Sequence, residues 1–218
     1  MIKKASVAGA SGYIGKQLVQ VLLNLGIEVN VLTRRQSYHL KNVNLFVGDV
    51  TDSNHNFSDF FFGTDVFFNC IGTTKQKAGG AKEFIDIELG ISREAARMAS
   101  LSNIPHAALI SASGANHKTW AVEWLHPLLY TRTMGQKEQT LISEFHFETV
   151  SVFKPGMLIR LMEDKEWYDD IIEKLGVGLR VDVLARAMMK DVENIRSSGK
   201  NSEIYFHIGN SAIIELAQ

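Results

Sequence analysis

Three glycines in the run Gly9-Ala-Ser-Gly12-Tyr-Ile-Gly15 are spaced for one kind of chemistry, holding a phosphate with bare main chain. Without side chains at Gly9 and Gly12 the backbone can approach an anion, and the first N–H groups of a following helix point at its charge. Gly15 lets that helix lie close to its strand, and Ser11, Tyr13 and Ile14 complete the turn. An NAD site usually places a carboxylate about 20 residues further on, to accept from a ribose 2′-hydroxyl. Here the chain reads Thr33-Arg34-Arg35. Guanidinium forks suit a 2′-phosphate, so the expected ligand is NADP(H), with NAD(H) second.

These residues need a strand, a turn, a helix and a second strand to position them. Residues 5–8 are small and apolar, with Val7 at their centre. Beyond Gly15 the residues Leu18, Val19, Leu22, Leu23 and Leu25 recur at helical spacing, and Gly26 stops them. Residues 28–33 alternate through Val29, Val31 and Leu32. The result is the βαβ unit that binds a dinucleotide's diphosphate.

Further strands are expected at 43–47, 65–71, 107–110, 149–153 and 203–208, with helices at 56–62, 81–101, 126–145 and 181–195 and a final turn at 213–216. Seven strands alternating with helices give an α/β fold, a doubly wound, mostly parallel Rossmann-type sheet. Ligands of such sheets gather beyond the strand carboxyl ends. That edge places Asp49 and Val50 after the third strand, and Ile71, Gly72 and Thr73 after the fourth. Two roles are open to Asp49, reaching an adenine or capping the next helix. Phe57, Phe60 and Phe61 read as core, and residues 75–80 as a mobile loop whose lysines are solvated or phosphate-binding. The chain reads as one domain over 1–218, with 157–180 a short lid over a substrate.

Composition excludes several partners. A net charge of −1, with Lys and Arg scattered, gives no electrostatic case for nucleic acid or an anionic membrane surface. No apolar run approaches a membrane span and no signal segment precedes the first strand, so a cytoplasmic protein is expected. The single cysteine, Cys70, fits a reducing compartment and reads as a buried, inert thiol. The seven histidines show no metal-like spacing, so no metal is expected. Trp120, Trp124 and Trp167 read as ordinary packing in preference to lining a cleft or partner surface.

Taken together, Gly9-Ala-Ser-Gly-Tyr-Ile-Gly15, Leu32-Thr-Arg-Arg35, Gly48-Asp-Val-Thr-Asp52, Cys70-Ile-Gly-Thr-Thr74, Leu109-Ile-Ser-Ala-Ser-Gly-Ala115, Tyr130 with Gly135, and Val152-Phe-Lys-Pro-Gly156 resemble the extended or atypical short-chain dehydrogenase/reductases. Within that superfamily they are most similar to the Tat-interacting-protein-like oxidoreductases, over almost the whole chain. The resemblance implies NADP(H) binding across Gly9 to Gly15, Arg34, Asp49, Val50, Gly72 and Thr73, with Pro155 near the nicotinamide. It also implies a catalytic Tyr130.

The chain departs from the family where the reaction occurs. The family's lysine, four residues after the tyrosine, is Met134 here, and its serine falls by register on Ala112. Without a lysine beside it the Tyr130 phenol should titrate near its reference of about 10. It would be a poor base but a competent proton donor. Ser111 and Ser113 flank Ala112 on a pleated strand, where neighbours face opposite sides. Ser113 serves as the second catalytic candidate only if the chain has already turned. Lys137 reads as a solvated lysine, with a substitute for the missing charge as the alternative. His117 is an alternative acid in its loop.

Two functions stay open. One is an NADP(H)-dependent oxidoreductase of a small carbonyl-type substrate with a degenerate triad. The other is a non-catalytic NADP(H)-binding redox sensor or partner-binding regulator, in which the cofactor orders residues 73–82 and 113–126. A homodimer or a protein partner is compatible with either.

Overall fold

A computed structural model describes residues 2–34, 40–52, 57–161, 164–199 and 203–218. Its strands are β1 (Lys4–Ala8), β2 (Glu28–Thr33), β3 (Asn44–Val47), β4 (Val66–Asn69), β5 (His106–Ile110), β6 (Thr149–Lys154) and, later, β9 (Glu203–Ile208). They form a seven-stranded sheet in the order β3-β2-β1-β4-β5-β6-β9, and every neighbouring pair is parallel. The strand order reverses direction between β1 and β4. Such a switch point opens a crevice at the carboxyl edge of the sheet.

Parallel strands need covered faces, and the central ones here are apolar on both. Val66 and Phe68, Ala108 and Ile110 pack on one face against α1 (Tyr13–Asn24), α8 (Val181–Ser198) and α9 (Asn210–Leu216). Phe67, Ala107 and Leu109 alternate with them and pack against α2 (Ser58–Phe61), α5 (Ser92–Leu101) and α6 (His126–Ser143). The period of two along each strand sorts the side chains between the two helical layers. Phe57, Phe60 and Phe61 are buried in the second layer, as expected.

Several local expectations change. Residues 75–80 are not simply a loop: Lys75–Ala78 forms a turn of helix (α3), capped by the Thr74 side chain and ended by Gly79 at φ 98°. The long helix expected from 81 to 101 is interrupted. It runs as α4 (Ala81–Ile85), a π-helical stretch (Asp86–Ile91) and then α5. Such wide turns are rare and recur at functional sites. The segment 157–180 contains β7 (Leu158–Ile159), α7 (Trp167–Lys174) and β8 (Leu179–Arg180), with β7 and β8 paired in parallel. The last helix spans Asn210–Leu216 instead of a single turn. The expected start of the 56–62 helix at Asn56 lies outside the described residues.

Candidate cofactor and active site

The glycine turn has the close approaches its sequence requires. Gly9 has φ 80°, and a Cβ there would lie 2.5 Å from the carbonyl oxygen of Cys70, at the end of β4. At Gly15 a Cβ would meet the Ala10 Cα at 2.7 Å and the Gly9 carbonyl even closer, so helix and turn pack backbone on backbone. Gly12 donates its N–H to Gly9 O (3.0 Å) and occupies the N-cap of α1 in extended conformation. No side chain caps that N-terminus, and its first turn holds no acidic residue. The open first-turn amides therefore fit an anion.

At the rim of this turn the Tyr13 ring lies between two cations. Lys77 Nζ is 4.6 Å from the ring centroid and bonds the phenol oxygen, while the Arg160 guanidinium is 4.8 Å from the same ring. Lys16 also pairs with Asp164 at 2.8 Å. Arg160 and Asp164 thus bring the 157–180 segment against the glycine turn and the first turns of α1. Ile14 packs into the α1 core layer.

On the adenosine side of the switch point, Thr33 is buried and donates its hydroxyl hydrogen to Ser11 Oγ at 3.1 Å, tying β2 to the glycine turn. Arg34 is exposed, with Nη1 3.5 Å from Asp49 Oδ2. Asp49 also accepts from the Thr51 N–H (2.9 Å) and hydroxyl (2.7 Å), capping its own turn instead of α2. Val50 is buried beneath it. Arg35 lies outside the described residues.

On the other side, α6 supplies Tyr130. The phenol is half-buried among Phe84 (ring centroids 6.0 Å) and His126 (6.2 Å). Burial, and then the negative charge of Glu88, push its pKa up to about 12. The sequence expectation of an ordinary phenol near 10 is therefore corrected upward, because the site withdraws water and offers a carboxylate instead of an ammonium.

Neither of the two flanking serines bonds Tyr130. Ser111 N–H bonds Phe153 O at 2.8 Å and Ser113 N–H bonds Pro155 O at 2.7 Å, so the chain stays extended until Gly114 turns it at φ 81°. The pleat keeps Ser111 and Ser113 on the side opposite Ala112. Ser111 is buried and donates to Glu138, whereas Ser113 is exposed and makes no hydrogen bond to Tyr130. His117 is also exposed, its loop seated on α6 at Gly135, where a Cβ would lie 2.6 Å from Asn116 N. Met134 is buried one turn beyond Tyr130.

Lys137 departs most from expectation. Far from solvated, its side chain is 2% exposed, with Nζ 2.9 Å from Glu88 Oε2 and 2.6 Å from the Ile71 carbonyl. Glu88 Oε1 accepts the Thr73 N–H at 2.7 Å. Beside this pair, Lys154 Nζ lies 2.8 Å from Glu138 Oε2 and 3.2 Å from Ala115 O. An acidic residue in a helix reads as solvated, even between Ile87 and Leu89, so Glu88 did not stand out. Its one legible signal was position, 15 residues past the Gly72-Thr73 edge that it holds.

Cys70 matches the inert reading. Burial pushes its thiol up to about 12, with the Lys137 charge pulling the other way. The tryptophans do not match theirs: Trp120, Trp124 and Trp167 are 69%, 77% and 76% exposed. Pro155 is buried at the end of β6.

Residues 5–118 match the model of the NAD dependent epimerase/dehydratase family. The chain belongs to that family. It is 32% identical over 163 residues to protein HTATIP2 of Rattus norvegicus, covering 72% of this chain and 63% of the rat protein. It is 29% identical over 161 residues to the Candida albicans protein FMP52, mitochondrial, covering 70% of this chain and 66% of that one. The chain therefore spans just under two thirds of the length of these relatives. Among solved structures, UDP-glucose 4-epimerase from Brucella ovis in complex with NAD superposes with a TM-score of 0.73 at 12% identity, covering 98% of this chain and 80% of that one. MoeE5 in complex with UDP-glucuronic acid and NAD gives 0.69 at 15%, covering 95% and 76%. At those identities the likeness is one of fold. The chain has the NAD(P)-binding Rossmann-type fold of the short-chain dehydrogenase/reductases, as its motifs suggested. No helix among the described residues is long and apolar enough to cross a membrane.

Proposed function

We propose that the chain is an NADP(H)-dependent oxidoreductase acting on a small carbonyl-type substrate, with Tyr130 as proton donor. The observation that carries this reading is the uncapped first turn of α1 above Gly9, Gly12 and Gly15, joined through Ser11 and Thr33 to a β2 end that carries Arg34 and no carboxylate. In this reading the amides of Tyr13, Ile14 and Gly15 hold the diphosphate, Arg34 and Arg35 the 2′-phosphate, and Asp49 and Val50 flank the adenine. Ile71, Gly72, Thr73 and Pro155 border the nicotinamide half.

When bound, the nicotinamide supplies or accepts the hydride. Tyr130 does the rest of the chemistry that this chain offers. With its pKa at about 12 the phenol is neutral at pH 7. It is therefore in the form that donates a proton to a carbonyl oxygen as that oxygen gains charge. The same shift leaves the phenolate, the form that would take a proton from an alcohol, scarce at pH 7, so the protonation state at that pH suits reduction and not alcohol oxidation. A carbonyl-reductase panel with NADPH, run on the wild type and on Tyr130→Phe, tests this. Turnover in the wild type and a loss of about 10²-fold or more in the variant are expected; an inactive wild type refutes it.

A second reading has its own observation: Ala112 and Met134 stand where the family's serine and lysine belong, and Ser113 stays exposed. In that reading the chain is a non-catalytic NADP(H)-binding sensor that presents Trp120, Trp124 and Trp167 to a partner. A partner affinity that does not change with NADP(H) would exclude it. Cytoplasmic placement remains our reading, and a single cysteine is compatible with it without singling it out among reducing compartments. Cell fractionation separates it from the mitochondrial placement carried in the name of the Candida albicans relative.

A further inference from the structure

Two ion pairs lie buried side by side beneath the carboxyl edge of the sheet, and adjacent residues of α6 anchor both. Lys137 pairs with Glu88 from the π-helical stretch, and Glu138 pairs with Lys154 from the end of β6. Each pair spends its remaining hydrogen bonds on the loops above. Lys137 donates to Ile71 O (2.6 Å) and Glu88 accepts from Thr73 N–H (2.7 Å), so the pair grips the main chain on both sides of Gly72. The fit is close: a Cβ at Gly72 would lie 3.2 Å from Glu88 Oε1. Lys154 donates to Ala115 O, and Glu138 accepts from Ser111. The loops after β4 and β5 are thereby braced from one helix, the second with the help of the last residue of β6.

Burying two charges costs several kcal/mol per ion, and a well-packed apolar pair of similar volume often serves stability as well or better. What apolar residues cannot do is bond the Ile71 carbonyl and the Thr73 amide. Those groups lie past Asn69, the last residue of β4, where the sheet ladder no longer holds them. We propose that Glu88 and Lys137 are positioning residues for the nicotinamide half of the site, fixing the Ile71–Thr73 main chain against which that half is bound. This rests on the dinucleotide reading above. It gives the buried lysine of α6 a role different from the family's lysine: it holds the cofactor loop from below, one turn beyond Met134, and does not address Tyr130. Glu88 is the member whose charge reaches the phenol.

The test compares two probes on the full chain. NADPH spans both halves of the site, and 2′,5′-ADP needs only the glycine turn and Arg34. The variants are the apolar double substitution Glu88→Leu with Lys137→Met, and the isosteric Glu88→Gln in case the double variant does not fold. Expected is a folded protein whose NADPH affinity falls about tenfold or more, as for a lost fixed hydrogen-bonding partner, while 2′,5′-ADP affinity stays within about twofold. Glu88→Gln should also lower the Tyr130 pKa, read by ultraviolet titration against Tyr130→Phe. Equal loss of both probes, or loss of neither, overturns the proposal. If the wild type binds neither probe, the dinucleotide reading fails by itself. Amide exchange then decides the brace: exchange at Thr73 should rise about tenfold in the double variant while Ser113 is unchanged, and an unchanged Thr73 overturns it.

Discussion

Arg34 Nη1 stands 3.5 Å from Asp49 Oδ2, so the cation offered at the end of β2 is already shared with a carboxylate from the end of β3. Both side chains keep solvent access, and an exposed pair of this kind holds its geometry by no more than about 1 kcal/mol. A phosphate dianion can outcompete it. Arg34→Ala should weaken NADP(H) binding about tenfold, the scale of one charge-assisted hydrogen bond, and leave NAD(H) nearly unchanged. Asp49→Asn should strengthen NADP(H) at low ionic strength, and the gain should shrink with added salt. Isothermal calorimetry with both cofactors reads each change.

Burial, and then the Arg196 charge, lower the His106 pKa to about 4, although Asp191 pulls it up. Its Nε2 lies 2.9 Å from Ser151 Oγ, which donates to Asp191 Oδ2 at 2.5 Å. At neutral pH the imidazole is neutral in both folded and unfolded chains. Below its unfolded value of about 6.5 only the unfolded chain gains the proton, so stability falls as the pH drops from there towards 4. This one group should cost roughly 2 kcal/mol between pH 7.5 and 5. Urea unfolding across that range checks it. His106→Gln should start less stable and show a flatter profile.

Tyr130 should remain un-ionised through pH 10, because its pKa is pushed up to about 12. If it donates the proton in reduction, the rate of NADPH-dependent carbonyl reduction should show no loss from phenol ionisation between pH 7 and 9. Alcohol oxidation should instead rise with pH, about tenfold per unit while the base form is scarce. A reductive rate that falls tenfold over that interval would exclude the phenol as the donor.

Gly135 carries a packing demand that has nothing to do with turns. A Cβ there would lie 2.6 Å from Asn116 N and nearer still to His117 N, both backbone atoms. Gly135→Ala should destabilise the fold by about 1–3 kcal/mol, or push the 114–118 loop off α6. A thermal melt, together with faster exchange of the Asn116 amide, which now bonds Thr131 O at 3.0 Å, distinguishes the two.

The central strands of the sheet were legible because parallel strands covered on both faces are short apolar runs, and the half-exposed edge strands β3 and β9 because they are rich in branched and aromatic residues. The edge where ligands gather follows from their direction. The glycine turn was legible for the same local reason. Lys137 and Glu88 were not. Lys137 stands between Gln136 and Glu138 and Glu88 between Ile87 and Leu89, and a lone charge in a helix reads as solvated until its partner across the fold is known. Tyr130 was found by motif, but its acidity was misjudged because no sequence pattern reports that the phenol is withdrawn from water or that the charge of Glu88, 42 positions earlier, opposes its ionisation. The exposed tryptophans failed in the opposite sense: apolar type argued for burial, and loop placement prevailed.

The π-helical stretch from Asp86 to Ile91 has an arithmetic of its own. A wide turn carries one residue more than an ordinary one and absorbs it within a single revolution, so Ala81–Ile85 and Ser92–Leu101 keep the phase they would have in an unbroken helix. Removing a single residue there would let the turn close as an ordinary one, with Phe84 on one side and Ala95, Ala96 and Ala99 on the other still facing inward. What the shorter turn would displace is Glu88, so such a deletion should cost the grip on Thr73 and Lys137 far more than it costs the helix.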